Sequence, residues 1–296
     1  MTRPRYPSLF QVNTRVQLSE LSFTLGRPAT LDDIPESDLD EWARLGFDWV
    51  WLLGVWQTGR VGQDISRANA EWRREFQELL PDLHEADICG SCFVVREYTV
   101  HVDFGGEAAL ARFRSPVRAH GIRLLLDFVP NHTALDHPWV AAYPDFYVSG
   151  TAERLHAEPQ NYCELRLPDG PRSLAYGRDP YFPGWPDTLQ LNYAEPKLQD
   201  ALIAELLRIA EGCDGVRCDM AMLVLPNVFE RTWGHRPPEF WPRAVAAYFQ
   251  GDFDRALERV EAADKLMPGL WDVHRLRVLL KDLEEFQKEL TPARTP

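Results

Sequence analysis

Arg217 and Asp219 close a short apolar segment, residues 214–222 (DGVRCDMAM), which we predict to be a strand. Alternate residues of a strand project from the same face, so the two side chains would lie side by side. An arginine can bind both oxygens of a carboxylate, and its charge favours the ionised carboxyl that a nucleophile needs. This spacing therefore predicts an oriented carboxylate nucleophile, with a purely structural ion pair as the alternative.

A second group of polar residues follows another apolar run, residues 122–132 (IRLLLDFVPNH). Asp127, Asn131 and His132 lie at its carboxyl end, as Arg217 and Asp219 do in the first segment. In barrels of parallel strands and helices, the active site lies at the carboxyl ends of the strands. The five residues are therefore expected at one common site. No glycine-rich phosphate loop follows any predicted strand, which argues against an open doubly wound sheet.

Four strands and the helices between them would position these residues. The strands are predicted at 8–18, 47–56, 122–132 and 214–222, and the intervening helices at 37–47, 69–80, 105–121 and 195–213. Ser37 is expected to cap the first helix and Gly46 to end it, while Pro116 should distort the third. Strands that alternate with helices predict a parallel sheet with right-handed crossovers. An open doubly wound sheet is the alternative to a barrel.

Three segments in this order resemble the alpha-amylase superfamily of glycoside hydrolases over roughly residues 6–245. The segments are 127–132 (DFVPNH), 185–193 (WPDTLQLNY) and 215–219 (GVRCD). The resemblance implies a TIM-type barrel that acts on alpha-glucans with retention of configuration. It also implies that residues 133–193 are an insertion between the third strand and the third barrel helix.

The resemblance further assigns a role to each residue of the expected site. Asp219 corresponds to the nucleophile that forms a covalent glycosyl-enzyme, and Arg217 to the arginine that orients it. His132 corresponds to a histidine that hydrogen-bonds the sugar. Asn131 corresponds to an asparagine that supports the loop beneath and binds calcium in some members, and Asp127 to a chiefly structural acid beside the substrate. No cofactor is otherwise implied, and the implied ligand is an alpha-glucan or another alpha-glucoside.

The second carboxyl group of a retaining hydrolase is not found where the family has it. Such enzymes need a nucleophile and an acid/base roughly 5–5.5 Å apart. The family supplies the acid from the fifth strand, but residues 245–265 are rich in alanine and favour helix. Glu230, Glu239, Glu258 and Glu261 are the acids at hand, and a helical glutamate would not point into a barrel mouth. We therefore expect the chain alone to be impaired or inactive, which leaves its status as an enzyme open.

The expected fold class is α/β: an incomplete TIM-type (β/α) barrel of about four βα units, with an irregular insertion after the third strand, followed by a short α-helical segment. Residues 1–245 would form the partial barrel. Residues 246–296 resemble part of a tetratricopeptide repeat. A non-catalytic carbohydrate-binding or scaffold protein, and a protein-interaction module led by this helical segment, are the alternative functions.

Composition limits the partners and the compartment. The 296 residues carry a net charge of −13, which argues against nucleic acid and anionic membranes. No apolar run approaches the roughly 20 residues of a membrane span, and the first ten residues do not read as a secretion signal. Five scattered cysteines fit a reducing cytoplasm. The unpaired edges of a partial barrel predict self-association, through an edge or through the helical segment.

Overall fold

The computed structural model describes residues 6–249. The first half of this part alternates strands and helices. In chain order its elements are β1 (Leu9–Asn13), α1 (Thr14–Leu25), α2 (Glu36–Arg44), β2 (Trp49–Leu53), β3 (Trp56–Thr58), α3 (Arg60–Ala68), α4 (Ala70–Leu79), β4 (Val95–Val100), α5 (Gly106–Ala119) and β5 (Arg123–Phe128).

The second half contains the insertion and the last strand of the main sheet. Its elements are β6 (His132–Ala134), α6 (Pro138–Ala142), α7 (Ala152–Ala157), β7 (Tyr162–Leu167), β8 (Gly170–Ala175), β9 (Thr188–Gln190), α8 (Pro196–Gly212), β10 (Gly215–Cys218), α9 (Pro226–Trp233) and α10 (Trp241–Tyr248). No helix among residues 6–249 combines the length and the apolar character that crossing a membrane requires.

The main sheet has four parallel strands in the order β1-β2-β5-β10. Strand β10 pairs with β5 so that Arg217 lies opposite Asp127, and β2 pairs with β5 so that Trp51 lies opposite Leu125. Sequence order and spatial order agree, as right-handed crossovers on one side of a sheet produce. The predicted fold class, a partial barrel of four βα units, is thereby confirmed.

The two faces of the sheet differ in their surroundings. On one face, Val50, Leu52, Leu124, Leu126 and Phe128 are fully buried, and α5 and α8 pack against it. Burying each such side chain stabilises the fold by roughly 1.5–3 kcal/mol. The opposite face, which we call the inner face, carries the alternate residues of the same strands, namely Leu9, Gln11, Trp49, Trp51, Leu125, Asp127, Gly215 and Arg217.

Helix α8 shows why these sequences form the outer layer. Its buried residues Leu198, Leu202, Leu206 and Ile209 recur every three or four positions, so they form one apolar stripe. Pro196 lies in the first turn, where a missing backbone N–H costs nothing. The stripe faces β5 and β10, and α10 also packs against α8.

Several predicted boundaries need correction. The strand predicted at 8–18 ends at Asn13, because the Asn13 side chain accepts a hydrogen bond from Val16 N (3.3 Å) and starts α1. The strand predicted at 47–56 is broken at Gly54, whose φ of 72° turns the chain out of the sheet. Pro35 rather than Ser37 precedes α2, and Pro116 lies in the last turn of α5 without ending it.

The insertion places one predicted motif beside another. Strands β6 and β9 pair antiparallel, with His132 opposite Gln190, so residues 185–193 lie against residues 127–132. Strands β7 and β8 form a separate hairpin, which no hydrophobic period in the sequence had predicted. The predicted tetratricopeptide-like segment, 246–296, lies outside the described residues from position 250 onward.

Candidate active site

Arg217 and Asp219 meet at the carboxyl end of β10. Arg217 Nη1 lies 2.5 Å from Asp219 Oδ1. The backbone N–H of Asp219 donates to the carbonyl of Phe128 (2.7 Å), which fixes the residue at the end of the sheet. The second carboxylate oxygen, Oδ2, accepts no hydrogen bond from residues 6–249. The contact predicted from the sequence is present, and it leaves one oxygen of Asp219 for another group.

The charge state of Asp219 results from two opposing effects. Burial raises the pKa of its carboxyl group, and the Arg217 guanidinium opposes this by attraction and hydrogen bonding. The sequence led us to expect the arginine to dominate and lower this pKa. That expectation is wrong in direction, because only 5% of Asp219 is exposed and the loss of water outweighs the ion pair.

Two aromatic rings hold the Arg217 guanidinium in place. Its central carbon lies 4.7 Å from the ring centre of Trp51 and 5.1 Å from that of Phe93. Trp51 belongs to β2 and Phe93 to the segment before β4. Cation–π contacts of this kind are worth roughly 0.5–2 kcal/mol each. Neither contact was predicted from the sequence, because Phe93 lies in a polar segment and Trp51 resembles an ordinary core aromatic residue.

Asp127 joins three strands from a buried position. Its Oδ2 accepts from Gly54 N at the end of β2 (3.1 Å), and its Oδ1 lies 3.5 Å from Arg217 Nη1. Its backbone carbonyl accepts from Trp56 Nε1 (2.7 Å). Burial raises the pKa of the Asp127 carboxyl to about 6. With 1% of its surface exposed, Asp127 cannot touch a ligand directly.

His132 and Asn131 lie beside the insertion. Burial lowers the pKa of His132 to about 4, so the imidazole is neutral at pH 7. Its ring packs edge-on against Trp185 with centres 5.3 Å apart. Gln190 Nε2 donates to the backbone carbonyl of Asn131 (3.0 Å) and to its Oδ1 (3.1 Å), which ties β9 to the loop after β5.

Asn131 is the residue at which the family resemblance allows a calcium ion. Calcium takes 6–8 oxygen ligands, several of them carboxylates. The Asn131 amide oxygen already accepts from Gln190. Among residues 6–249, no three His, Cys, Asp or Glu side chains converge as metal ligands. Calcium binding therefore stays a prediction from the family resemblance.

Backbone strain occurs directly after Asp219. Met220 has φ 46° and ψ 34°, and within residues 6–249 it alone has a positive φ without being glycine. This left-handed conformation costs an L-residue roughly 1–2 kcal/mol. It turns the chain into the short 3-10 helix Ala221–Val224. Strained residues of this kind cluster at functional sites, where the surrounding structure holds them.

A cleft of about 660 Å³ runs along the carboxyl ends of β1 and β2. Asn13, Gly54 and Phe93 line it, but Asp219 does not. Gly54 has no room for a side chain, since a Cβ there would lie 2.4 Å from Cys92 Cβ. Phe93 is thus shared between the cleft and the cover of Arg217, so a ligand in the cleft would approach the Arg217–Asp219 pair along this ring.

Two of the four acids considered from the sequence lie in the described part. Glu230 is on α9, half exposed, and accepts from Arg236 Nη1 (3.1 Å). Glu239 precedes α10 and is partly buried. Glu258 and Glu261 lie outside the described residues. The described part therefore joins Arg217 to both Asp219 and Asp127, and it places the neutral His132 and Asn131 against the insertion.

Comparison with known proteins identifies the family. The family described as "Alpha amylase, catalytic domain" matches residues 37–237. This chain belongs to the alpha-amylase catalytic-domain family. A trehalose synthase from Pimelobacter sp. is 30% identical over 181 residues, which are 54% of this chain and 30% of that protein. A palatinase from Erwinia rhapontici is 26% identical over 201 residues, which are 64% of this chain and 31% of that protein.

Solved structures agree with this alpha-amylase-type fold. The trehalose-6-phosphate hydrolase of Bacillus licheniformis matches with a TM-score of 0.54 and 15% identity, over 85% of this chain and 43% of that one. The chain thus spans about a third of the curated relatives it matches, and under half of this structure. The predicted superfamily is confirmed, and the likeness to solved structures supports the fold.

Proposed function

We propose that this chain acts on alpha-glucosides through Asp219, which would form a covalent glycosyl-enzyme with retention of configuration. The observation that carries the proposal is the 2.5 Å contact between Arg217 Nη1 and Asp219 Oδ1, which leaves Oδ2 without a hydrogen bond from residues 6–249. Similar proteins include a trehalose synthase and an alpha-glucosidase from Culex pipiens, which supports an alpha-glucoside as the substrate class.

The three site residues would have distinct tasks. Asp219 Oδ2 would attack the anomeric carbon, while Arg217 fixes the carboxylate through Oδ1. Trp51 and Phe93 keep the guanidinium from rotating away, so the attack direction is set before the sugar arrives. His132, neutral at pH 7, would share a hydrogen bond with a sugar hydroxyl without adding charge to the site.

Among residues 6–249, protonation of the leaving group has no evident donor. Asp127 has the raised pKa of an acid catalyst, but it is buried, and its Oδ2 is engaged by Gly54 N. Glu230 is engaged by Arg236 on α9. We therefore propose that ordinary alpha-glucans react at close to the background rate. A substrate whose leaving group departs without a proton would still glycosylate Asp219.

Alpha-glucosyl fluoride tests this directly. Oδ2 of Asp219 forms a bond to the anomeric carbon as the carbon–fluorine bond breaks, and fluoride leaves with the bonding electrons. We expect intact-protein mass spectrometry to show one added glucosyl unit, and peptide mapping to place it on Asp219. The adduct should persist, because water attacks it slowly when no general base assists.

Two variants give this experiment its control. Asp219→Asn should give no adduct, while Asp64→Asn, which changes an exposed carboxylate on α3, should react as the parent does. An adduct on the Asp219→Asn protein would refute the proposed nucleophile. Rapid starch hydrolysis that Asp219→Asn abolishes would refute the missing acid, since it would show that a proton donor is present.

A non-catalytic carbohydrate-binding protein is the second candidate function. The cleft beside Phe93 and the burial of Asp127, the carboxyl group next to Arg217, favour it. Calorimetric binding of maltooligosaccharides, with no adduct from the fluoride, would establish this function instead. A protein-interaction module led by residues 246–296 concerns a segment mostly outside the described residues.

A further inference from the structure

Cys89 and Cys92 place two thiols within four residues, in the segment CGSC that precedes Phe93. All five cysteines of the chain lie in the described part, and none of them forms a disulfide. The other three lie on β7, directly after α8 and on β10. Both Cys89 and Cys92 are half-buried, and both line the cleft at the carboxyl ends of β1 and β2. Two thiols that share a cleft and lie this close in the chain are a candidate site for reversible oxidation.

The CGSC segment is held from two sides. Gly90 has a φ of 79°, and a Cβ at this position would lie 3.2 Å from Gln63 N on α3. A Cβ on Gly54 would lie 3.1 Å from Cys92 Sγ, so this thiol packs against the turn after β2. Cys89 Sγ donates to the backbone carbonyl of Gly90 (3.7 Å). Each thiol of the reduced protein therefore has its own contact, and a bond between them requires the side chains to turn.

We propose that Cys89 and Cys92 form a reversible disulfide by exchange with a low-molecular-weight disulfide. The bond withdraws Phe93 from Arg217. A disulfide holds its two Cβ atoms roughly 3.5–4.5 Å apart, so the Cys92 side chain turns from Gly54 towards Cys89. Phe93 is the next residue, and its ring centre lies 5.1 Å from the central carbon of the Arg217 guanidinium. The movement of Cys92 therefore reaches one of the two rings that hold this guanidinium.

The exchange takes place in two steps. The Cys89 thiol loses its proton to water and attacks one sulfur of the small disulfide, whose other sulfur leaves as a thiolate. The Cys92 thiol then loses its proton to water, attacks the Cys89 sulfur of this mixed disulfide and displaces the second small thiolate. The two small thiolates take up the two protons. Two protein thiols are thus oxidised to a disulfide while one small disulfide is reduced to two thiols.

The surroundings of Cys92 make it the second nucleophile. Burial, the charge of Asp127 and the neighbouring Cys89 raise the pKa of the Cys92 thiol to about 11. Its thiolate is therefore scarce at pH 7, and the closing step limits the rate. We expect the rate of closure to rise about tenfold per pH unit between pH 7 and 9, because the thiolate fraction rises in this way below the pKa.

Thiol counting on the full-length protein tests the bond itself. The folded protein is incubated with oxidised glutathione, and its thiols are then labelled with N-ethylmaleimide in denaturant. We expect two of the five thiols to escape labelling, peptide mapping to join Cys89 to Cys92, and dithiothreitol to restore all five. Cys89→Ser should abolish the bond. Cys163→Ser, which makes the same change at a half-buried thiol of β7, is the matched control and should keep it.

The effect on the site needs two readouts, because the effect on activity rests on the proposed function. Phenylglyoxal, an arginine reagent, should modify Arg217 faster in the oxidised protein, since Phe93 no longer covers the guanidinium. Adduct formation on Asp219 from alpha-glucosyl fluoride should slow roughly 2- to 30-fold, the range expected for the loss of one cation–π contact. Neither change should occur in Cys89→Ser treated with the same oxidant.

The two readouts separate the failure of this inference from that of the proposed function. Five labelled thiols after oxidation, a glutathione mixed disulfide that persists at pH 9, or a bond between other cysteines would overturn the inference. A Cys89–Cys92 bond that leaves the modification of Arg217 unchanged would overturn it as well. If the reduced protein forms no adduct on Asp219, the proposed function fails, while faster modification of Arg217 on oxidation would still establish the disulfide and its effect.

Discussion

At the scale of single residues, the candidate site depends on how β10 ends. Asp219 is held by its own backbone hydrogen bond to Phe128, and the next residue adopts a left-handed conformation. The Met220 side chain makes no capping hydrogen bond that would favour this conformation. The strain is balanced by the contacts that fix its neighbours, which is how strained backbone persists in a fold.

Replacing Met220 with glycine should measure this strain. Met220→Gly removes a left-handed cost of roughly 1–2 kcal/mol and adds roughly 0.5–1 kcal/mol of chain entropy, so stability should hold or rise slightly. Met222→Gly, in the following 3-10 helix, gains no such relief and should lose about 0.5–1 kcal/mol. Urea unfolding of both variants measures the difference. Equal losses would show that Met220 carries no strain.

At the scale of elements, the sequence predicted the layers better than the loops. A continuous apolar run predicts strand β5, and an apolar stripe at helical spacing predicts helix α8. The break at Gly54 was missed, because the residues on both sides of it are equally apolar. Phe93 and the β7–β8 hairpin were missed because their partners are far away in the chain. A single sequence does not reveal which distant segments meet.

The cap of α6 gives a test at this scale. His137 Nδ1 accepts from Trp139 N (3.0 Å), and burial lowers the pKa of His137 to about 4. The folded protein therefore resists protonation that the unfolded chain accepts near pH 6.5, and stability is lost as pH falls from about 6.5 towards 4. Asparagine also caps helices well but does not titrate.

His137→Asn should therefore keep the cap and flatten the acid side of the stability profile. The slope of unfolding free energy against pH between about 4.5 and 6 should fall by roughly one proton, or about 1.4 kcal/mol per pH unit. Urea titrations at a series of pH values measure this slope. His156→Asn, which makes the same change at an exposed position of α7, is the matched control. An unchanged slope in His137→Asn would contradict a buried neutral imidazole.

At the scale of the whole molecule, acid stability is a balance between buried groups of opposite sign. Acidification removes the stability that the neutral, buried His132 and His137 contribute, because their pKa values are lowered in the fold. Asp127 acts the other way. Its pKa of about 6 lies above that of the unfolded chain, so its contribution is present at low pH and is lost as pH rises through about 6.

Asp127→Asn should expose this balance. Without the Asp127 carboxyl group, the unfolding free energy should fall more steeply between pH 6 and 4. The increase in this slope should correspond to about one proton per molecule. The stability of the variant minus that of the wild type should be higher at pH 7 than at pH 4 by roughly 1–3 kcal/mol. Calorimetric melting at both pH values checks the sign. A variant that is relatively better at pH 4 would mean that Asp127 is ionised throughout.

The lack of space between Gly54 and Cys92 restricts the substitutions that this protein can accept. At Gly54, the backbone turns out of the sheet, donates to Asp127 and touches the residue before Phe93. Any side chain at position 54 would disturb the turn, the hydrogen bond to Asp127 and the packing against Cys92 together. Laboratory evolution that freely exchanges the exposed helix surfaces should therefore return glycine at this codon in every surviving clone.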